Sequence, residues 1–261
     1  MGSRMMITTY TEKLPQLPCE EYRIVFLTDL HDCPAETLAE QIKALRPDLI
    51  LAGGDMVNGP RNEAVCGTDR AEQLLSALLS CAPVIGAMGN HETRLKHSPR
   101  RQDCYRESRS RLEQAGVRFL ENASCALPGL EGRVRLYGLE LPLSYYGFRR
   151  PKTGPELTKL LGERVPSETA LLLAHTPEYR DAYRRWGADL VLAGHLHGGM
   201  IRLPLIGGLV GPSGRLFPRC SRGRFRCGET EMLVSSGLGD HGIMLRLGNP
   251  RELLLLRLVK G

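Results

Sequence analysis

Five short apolar runs, each stopped by a side chain able to hold a metal ion, constrain this chain more than any other feature. Arg23 to Thr28 leads into Asp29-Leu30-His31, and Asp48 to Ala52 into Gly53-Gly54-Asp55. Pro83 to Met88 leads into Gly89-Asn90-His91-Glu92, Thr169 to Ala174 into His175, and Asp189 to Ala193 into Gly194-His195-Leu196-His197. Short β-branched and apolar runs bounded by glycine read as buried strands. Helical spacing fills the gaps over Glu36–Leu45, Asp69–Leu79 and Pro177–Trp186. Strands alternating with helices predict parallel strands joined by crossovers. Arg133 to Gly138 reads as a further strand. Met232–Ser235, Ile243–Leu247 and Glu252–Val259 read as closing strands with short turns, expected to be antiparallel. The expected architecture is α/β, with helices flanking a large, partly mixed sheet system.

In α/β sheets, ligand sites form just beyond the carboxyl ends of the strands. Asp29, His31, Asp55, Asn90, His175, His195 and His197 all fall there, and five of the seven histidines lie in these runs. Residues at i and i+2 on a strand point to one face, as Asp29/His31 and His195/His197 would. Oxygen and imidazole donors without thiolate suit Mn, Fe or Zn. One tetrahedral ion takes about four ligands, so seven candidates suit two ions that share a carboxylate. Taken singly, Asp29 and Asp55 could each be a helix N-cap, and His175 a hydrogen-bonded core histidine. Glu92 reads as structural and His97 as solvated. His241 lies outside the runs.

Composition narrows the partners. Aromatic residues make up 5% of the chain, which argues against a base-stacking platform for nucleic acid. The net charge of +6 favours anionic partners without naming one. Two basic stretches concentrate it: Arg94 to Arg111, and Arg215 to Arg226 with no acidic residue. The second would suit the anionic lipid headgroups of a membrane surface or a polyanionic substrate. No apolar run approaches the ~18 residues of a membrane span. The eight cysteines show no C-x-x-C pair, and all are expected to be free thiols of a reducing cytosol.

Taken in order, Asp29-x-His31, Gly54-Asp55, Gly89-Asn90-His91-Glu92, His175 and Gly194-His195-x-His197 resemble the motifs of the calcineurin-like metallophosphoesterases. The resemblance runs from Arg23 to about Leu258. Gly198-Gly199-Met200-Ile201-Arg202-Leu203-Pro204 and the Gly237-Leu238-Gly239 and Arg246-Leu247-Gly248-Asn249-Pro250 strings are similar to a bacterial phosphodiesterase branch related to UDP-diacylglucosamine hydrolases. That branch usually has Thr and Gln where this chain has Leu196 and Met200, and Asp32 adds a charge beside His31.

The resemblance implies a four-layer αββα sandwich. It implies that Asp29, His31 and His197 hold a first divalent ion, that Asn90, His175 and His195 hold a second, and that Asp55 bridges them. Manganese is the favoured metal. His91 would sit beside the leaving group as the catalytic residue. The implied activity is phosphohydrolysis of a phosphodiester or pyrophosphate, lipid- or nucleotide-linked, by attack of a metal-bridging hydroxide. A nuclease on the same core and a non-catalytic scaffold of the same fold are the alternatives. Met1-Gly2-Ser3-Arg4-Met5 reads as a tag remnant followed by a second start. Residues 1–22 are therefore expected to be lead-in, and 23–261 one metallophosphoesterase domain with a basic cap segment over 94–111. The expected location is cytoplasmic, with membrane attachment through an N-terminal anchor outside this sequence as the alternative.

Overall fold

Successive side chains of a strand point to opposite faces, and the central strands of this chain are apolar on both. A computed structural model describes residues 5–15, 17–31, 33–58, 66–147, 151, 153–212, 214–240 and 246–261. The first half of the chain forms β1 (Met6–Leu14), β2 (Glu21–Leu27), α1 (Glu36–Ala44), β3 (Leu49–Ala52), α2 (Asp69–Leu78), β4 (Val84–Ala87), α3 (Asn90–Lys96), α4 (Gln102–Ala115) and β5 (Arg118–Leu120). The second half forms β6 (Ala123–Ala126), β7 (Val134–Leu139), α5 (Leu157–Leu161), β8 (Thr169–Ala174), α6 (Arg180–Trp186), β9 (Leu190–Ala193), β10 (Arg202–Leu203), β11 (Gly207–Gly208), β12 (Gly223–Cys227), β13 (Thr230–Val234) and β14 (Glu252–Lys260).

Two six-stranded sheets result, in the orders β1-β14-β2-β3-β4-β5 and β12-β13-β9-β8-β7-β6. Val25 and Leu27 of β2 turn outward and pack with Leu38 and Ile42 of α1 and Leu74, Leu75 and Leu78 of α2. Ile24 and Phe26 turn inward and meet Leu171 and Leu173 of β8 and Leu192 of β9 between the sheets. Leu172 and Val191 face the far side, against Tyr183 and Trp186 of α6. Alternation on both sheets thus builds the helix–sheet–sheet–helix layering. Each fully buried leucine in it contributes on the order of 1.5–3 kcal/mol.

Several sequence expectations change. Residues 6–14, set aside as lead-in, form β1 and pair in parallel with β14 over the whole strand. The closing strands are not uniformly antiparallel: β14 runs antiparallel to β2 but parallel to β1, and β13 runs parallel to β9. Residues 243–245 of the expected Ile243–Leu247 strand lie outside the described residues, and Leu247 makes an isolated bridge to Ile201. Pro177–Tyr179 is a 3-10 turn leading into α6 rather than its first α-helical turn. The cysteines are not all free: Cys66 and Cys104 form a disulfide across 38 residues, tying the approach to α2 to α4. This removes the argument that made a reducing compartment the expectation.

The 94–111 stretch falls on α3, α4 and the turn between them. Much of its charge is matched: Lys96 Nζ lies 2.6 Å from Glu121 and 2.9 Å from Glu140, and Arg109 lies 2.6 Å from Glu121. Arg222, Arg224 and Arg226 likewise face Glu252, Glu12 and Glu229. Among the described residues no helix is long and apolar enough to cross a membrane.

Candidate metal centre

The carboxyl ends of β2, β3 and β4 in one sheet and of β8 and β9 in the other release their polar residues onto a common rim. The end of β2 is tied to the end of β3 by Thr28, whose hydroxyl oxygen lies 3.3 and 3.1 Å from the carbonyl oxygens of Gly53 and Gly54, within reach of its single O–H. Glu92 orders the next two loops. Its buried carboxylate accepts the backbone N–H of Asp55 (2.8 Å), Met56 (2.7 Å), Val57 (3.2 Å) and Gly89 (2.9 Å). This is the structural part expected of it. Asp55 Oδ1 in turn accepts the N–H of His91 at 2.8 Å. The loops pass so close that a methyl group on Gly89 would overlap Asp55 Oδ1, and one on Gly194 would overlap Asp29 Oδ2.

Backbone conformation marks the same residues. Eleven described non-glycine residues have φ in the left-handed region, and five are Asp29 (53°), His31 (45°), Asp55 (50°), His195 (66°) and His197 (46°). Such conformations cost about 1–3 kcal/mol each and persist only where the surroundings enforce them. A helix N-cap has extended backbone instead. The N-cap reading of Asp29 and Asp55 therefore fails, and no helix starts at either.

The side chains converge. Ligand atoms of Asp29, His31 and His197 lie within 4.8 Å of one another, as do those of Asp55, His175 and His195, and those of His31, Asp55 and His91. His197 Nε2 is 3.5 Å from Asp29 Oδ1 and 3.3 Å from His31 Nε2. His175 Nε2 is 3.1 Å from Asp55 Oδ2 and 3.9 Å from Asp29 Oδ1. Asn90 opens α3 next to His91. All eight side chains are buried. His97 is exposed, whereas Asp32 and His241 lie outside the described residues.

Electrostatics follow from packing two carboxylates among imidazoles away from water. Burial pushes the Asp29 carboxyl up to about 6 against the opposing field of His175, with Asp55 adding to the rise. Burial acts on Asp55 too, but His175, His91 and His31 together outweigh it and hold its carboxyl well below the usual range. Burial disfavours charge on His175, yet Asp55 and Asp29 raise it to about 10. Burial and the Asp55 charge push Glu92 up to about 7, while its four N–H donors favour the ionised form.

Divalent cations fit these donors. The Nδ1 of His175 lies 2.9 Å from the Gly53 carbonyl oxygen. A carbonyl only accepts, so Nδ1 carries the hydrogen and Nε2 is the nitrogen turned to the carboxylates, the arrangement usual for a metal-binding imidazole. Asn90 Oδ1 is a buried acceptor with no hydrogen bond among the described residues. A buried polar atom of this kind calls for a cation, a donor or water.

Three further residues that the sequence did not mark as site residues meet the rim. Tyr146, in a loop, packs its ring edge-on to His195 with centroids 5.1 Å apart. Arg246 is almost fully buried, bonds Asp240 at 3.0 Å and brings Nη2 to 3.4 Å from His197 Nδ1. Asn249 donates to the carbonyl of His197 at 2.6 Å. The last two lie in the string that resembles the bacterial branch, which marks the segment but not their roles. Leu196 is buried, and Met200 has φ 46° in the turn after His197.

Residues 22–199 match the family described as calcineurin-like phosphoesterase. Phosphodiesterase YaeI of Escherichia coli (strain K12) is 29% identical over 246 residues, which cover 91% of this chain and 82% of that protein. An uncharacterized metallophosphoesterase of Helicobacter pylori (strain J99) is 29% identical over 262 residues, 96% of this chain and 62% of that protein. This chain thus spans under two thirds of the Helicobacter relative. Among solved structures, a 5'-nucleotidase precursor from Thermus thermophilus has a TM-score of 0.48 and 16% identity, covering 92% of this chain and 54% of that one.

Proposed function

The chain belongs to the calcineurin-like phosphoesterase family, and from that membership we propose that it hydrolyses phosphodiesters or pyrophosphates with two divalent cations held by Asp29, His31, Asp55, Asn90, His175, His195 and His197. The observation that carries this reading is the convergence of three donor groups on one buried rim, two of them sharing Asp55. Asp29, His31 and His197 are assigned to one cation, Asn90, His175 and His195 to the other, with Asp55 between. The relative named phosphodiesterase YaeI supports a diester over a monoester. An oxygen and nitrogen donor set without thiolate favours manganese, iron or zinc, and manganese is taken as the working metal.

When bound, the pair of cations supplies Lewis acidity toward a phosphoryl oxygen and acidifies water. The chain's own residues do the rest. Asp29 and Asp55 offset only half the charge of two divalent cations, so the site stays positive and selects an anionic phosphoester over a neutral ester. Glu92 holds the Asp55 and Asn90 loops in register through its backbone bonds. His91 Nε2, 3.9 Å from Asp55 Oδ2, is assigned to protonate the departing oxygen. Positioned acid catalysis of this kind is typically worth about 10²–10⁴-fold.

The test is turnover of bis(4-nitrophenyl) phosphate by the purified chain. Activity should vanish on chelation, return with Mn²⁺, and exceed that on the 4-nitrophenyl monoester. No turnover with any divalent metal would leave a scaffold of this fold, and faster monoester cleavage would overturn the diester assignment.

A further inference from the structure

The segment that follows the last histidine of the rim is exposed where an ordinary loop would be polar. Between Gly198 and Gly228 the chain carries six arginines and no acidic residue. Within it stand five of the eight large hydrophobic side chains that are exposed among the described residues: Leu203, Leu205, Ile206, Leu216 and Phe217. A sixth, Leu247, is bridged to Ile201 at the base of the same excursion. Scattered exposed leucines are normal, but a cluster marks an interaction site.

The cluster is built rather than loose. β10 and β11 pair Arg202 with Gly208 and Leu203 with Gly207. The turn is three residues long, closed by the Ile206 N–H on the Pro204 carbonyl at 2.8 Å, with Leu205 at its centre at φ 67°. A turn of this kind with positive φ is rare and strained. Leu205 is nonetheless completely exposed, at 108% of its reference area. A leucine here is unfavourable to both backbone and solvent unless something apolar meets it. Phe217, also exposed, sits at φ 49°, so the same conflict occurs twice. The base is fixed: Arg202 Nη1 donates to the Gly198 carbonyl at 2.8 Å and to Ser221 at 3.1 Å, and the Phe217 N–H donates to the Leu209 carbonyl at 2.8 Å.

Cationic groups lie beside Leu216 and Phe217. Arg180, Arg215 and Arg219 line an open cavity of about 280 Å³ together with Leu216 and Phe217. Glu178 and Asp181 share it, and Arg215 Nη1 lies 3.2 Å from Glu178 Oε1, leaving arginine in excess.

We propose that the hairpin 203–208 together with residues 215–219 is a docking surface for an anionic phospholipid bilayer, with Leu205, Ile206 and Phe217 entering the headgroup boundary and Arg215 and Arg219 meeting lipid phosphates. The occupant follows from shape and charge. A projecting hairpin tip enters a fluid apolar phase better than it covers a flat protein face. A second copy of this chain, in a symmetric contact, would bring the same acid-free arginine segment against itself. The hairpin leaves directly from the turn that carries His197, so docking sets the metal rim beside the lipid headgroups. On the hydrolase reading, on which this last step rests, the substrate is then a phosphoester carried in the bilayer.

Sedimentation of the full chain with sucrose-loaded vesicles of equal parts phosphatidylglycerol and phosphatidylcholine tests this. The wild type should sediment with them, and far less with phosphatidylcholine alone. Leu205→Asp combined with Ile206→Asp should cut partitioning at least about tenfold, and Arg215→Gln with Arg219→Gln should cut it at low salt. None of the four residues is among the assigned metal ligands or His91, so turnover of soluble bis(4-nitrophenyl) phosphate should match the wild type. Wild-type protein remaining in the supernatant, or an aspartate pair that sediments like wild type, would overturn the proposal. So would a wild-type dimer that the aspartate pair dissolves while vesicles bind neither protein. Vesicle binding without soluble-diester turnover would instead remove the hydrolase reading and leave the docking surface standing.

Discussion

Asp55→Asn is expected to lower the bound metal from two divalent ions per chain to one or none, and kcat/KM on bis(4-nitrophenyl) phosphate by about 10³-fold or more. That loss corresponds to about 4 kcal/mol of transition-state stabilisation. The side chain belongs to two of the three donor groups. Its Oδ2 lies 3.1 Å from His175 Nε2 and 3.9 Å from His91 Nε2, while Oδ1 holds the His91 backbone. Asparagine keeps the shape and an oxygen for the His91 N–H, so the loop should stay in place. What it removes is the one negative charge assigned to both cations. Elemental analysis of the purified variant beside its turnover separates the outcomes. Two ions retained with near wild-type turnover would contradict the bridging role.

His91→Ala is expected to keep both metals and lose about 10²–10⁴-fold in kcat, the range of positioned acid catalysis. The metal count decides here because geometry alone allows a second role. His91 forms a donor group with His31 and Asp55, and its ring meets that of His31 edge-on with centroids 4.7 Å apart. A ligand role would show as a lost ion, and that outcome would contradict the assignment. Leaving-group dependence supplies a further readout. An acid that protonates the departing oxygen matters most for a poor leaving group, so the deficit should be larger for an alkyl ester than for the 4-nitrophenyl ester. Equal losses on both would point to electrostatic stabilisation instead.

How much of this was legible follows from where the signals sit. β3, β4, β8 and β9 are buried on both faces, and continuous apolar runs announce them with bounds good to a residue or so. β1 has no such run. Its residues alternate between half-buried and exposed, and its partner β14 stands at the other end of the chain, so local sequence carries no sign of the pairing. α4 is strongly charged and buries only Tyr105, Ser108 and Leu112, so its sequence shows little of the face it packs. The rim was legible because polar residues that interrupt apolar strands at their carboxyl ends have few other reasons to be there. Tyr146 and Arg246 reach it from loops, where no period links residue type to direction. The Cys66–Cys104 pair depends on how α4 returns toward α2, which spacing does not encode. The exposed leucines of the 203–217 excursion looked like ordinary apolar sequence, since exposure is a property of the fold.

Anomalous scattering from manganese-soaked crystals, with elemental analysis of the same preparation, tests the central claim most directly. The account predicts two peaks, one among Asp29, His31 and His197, the other among Asn90, His175 and His195, with Asp55 reaching both. A rim without peaks at saturating manganese, or peaks seated away from those side chains, would contradict it.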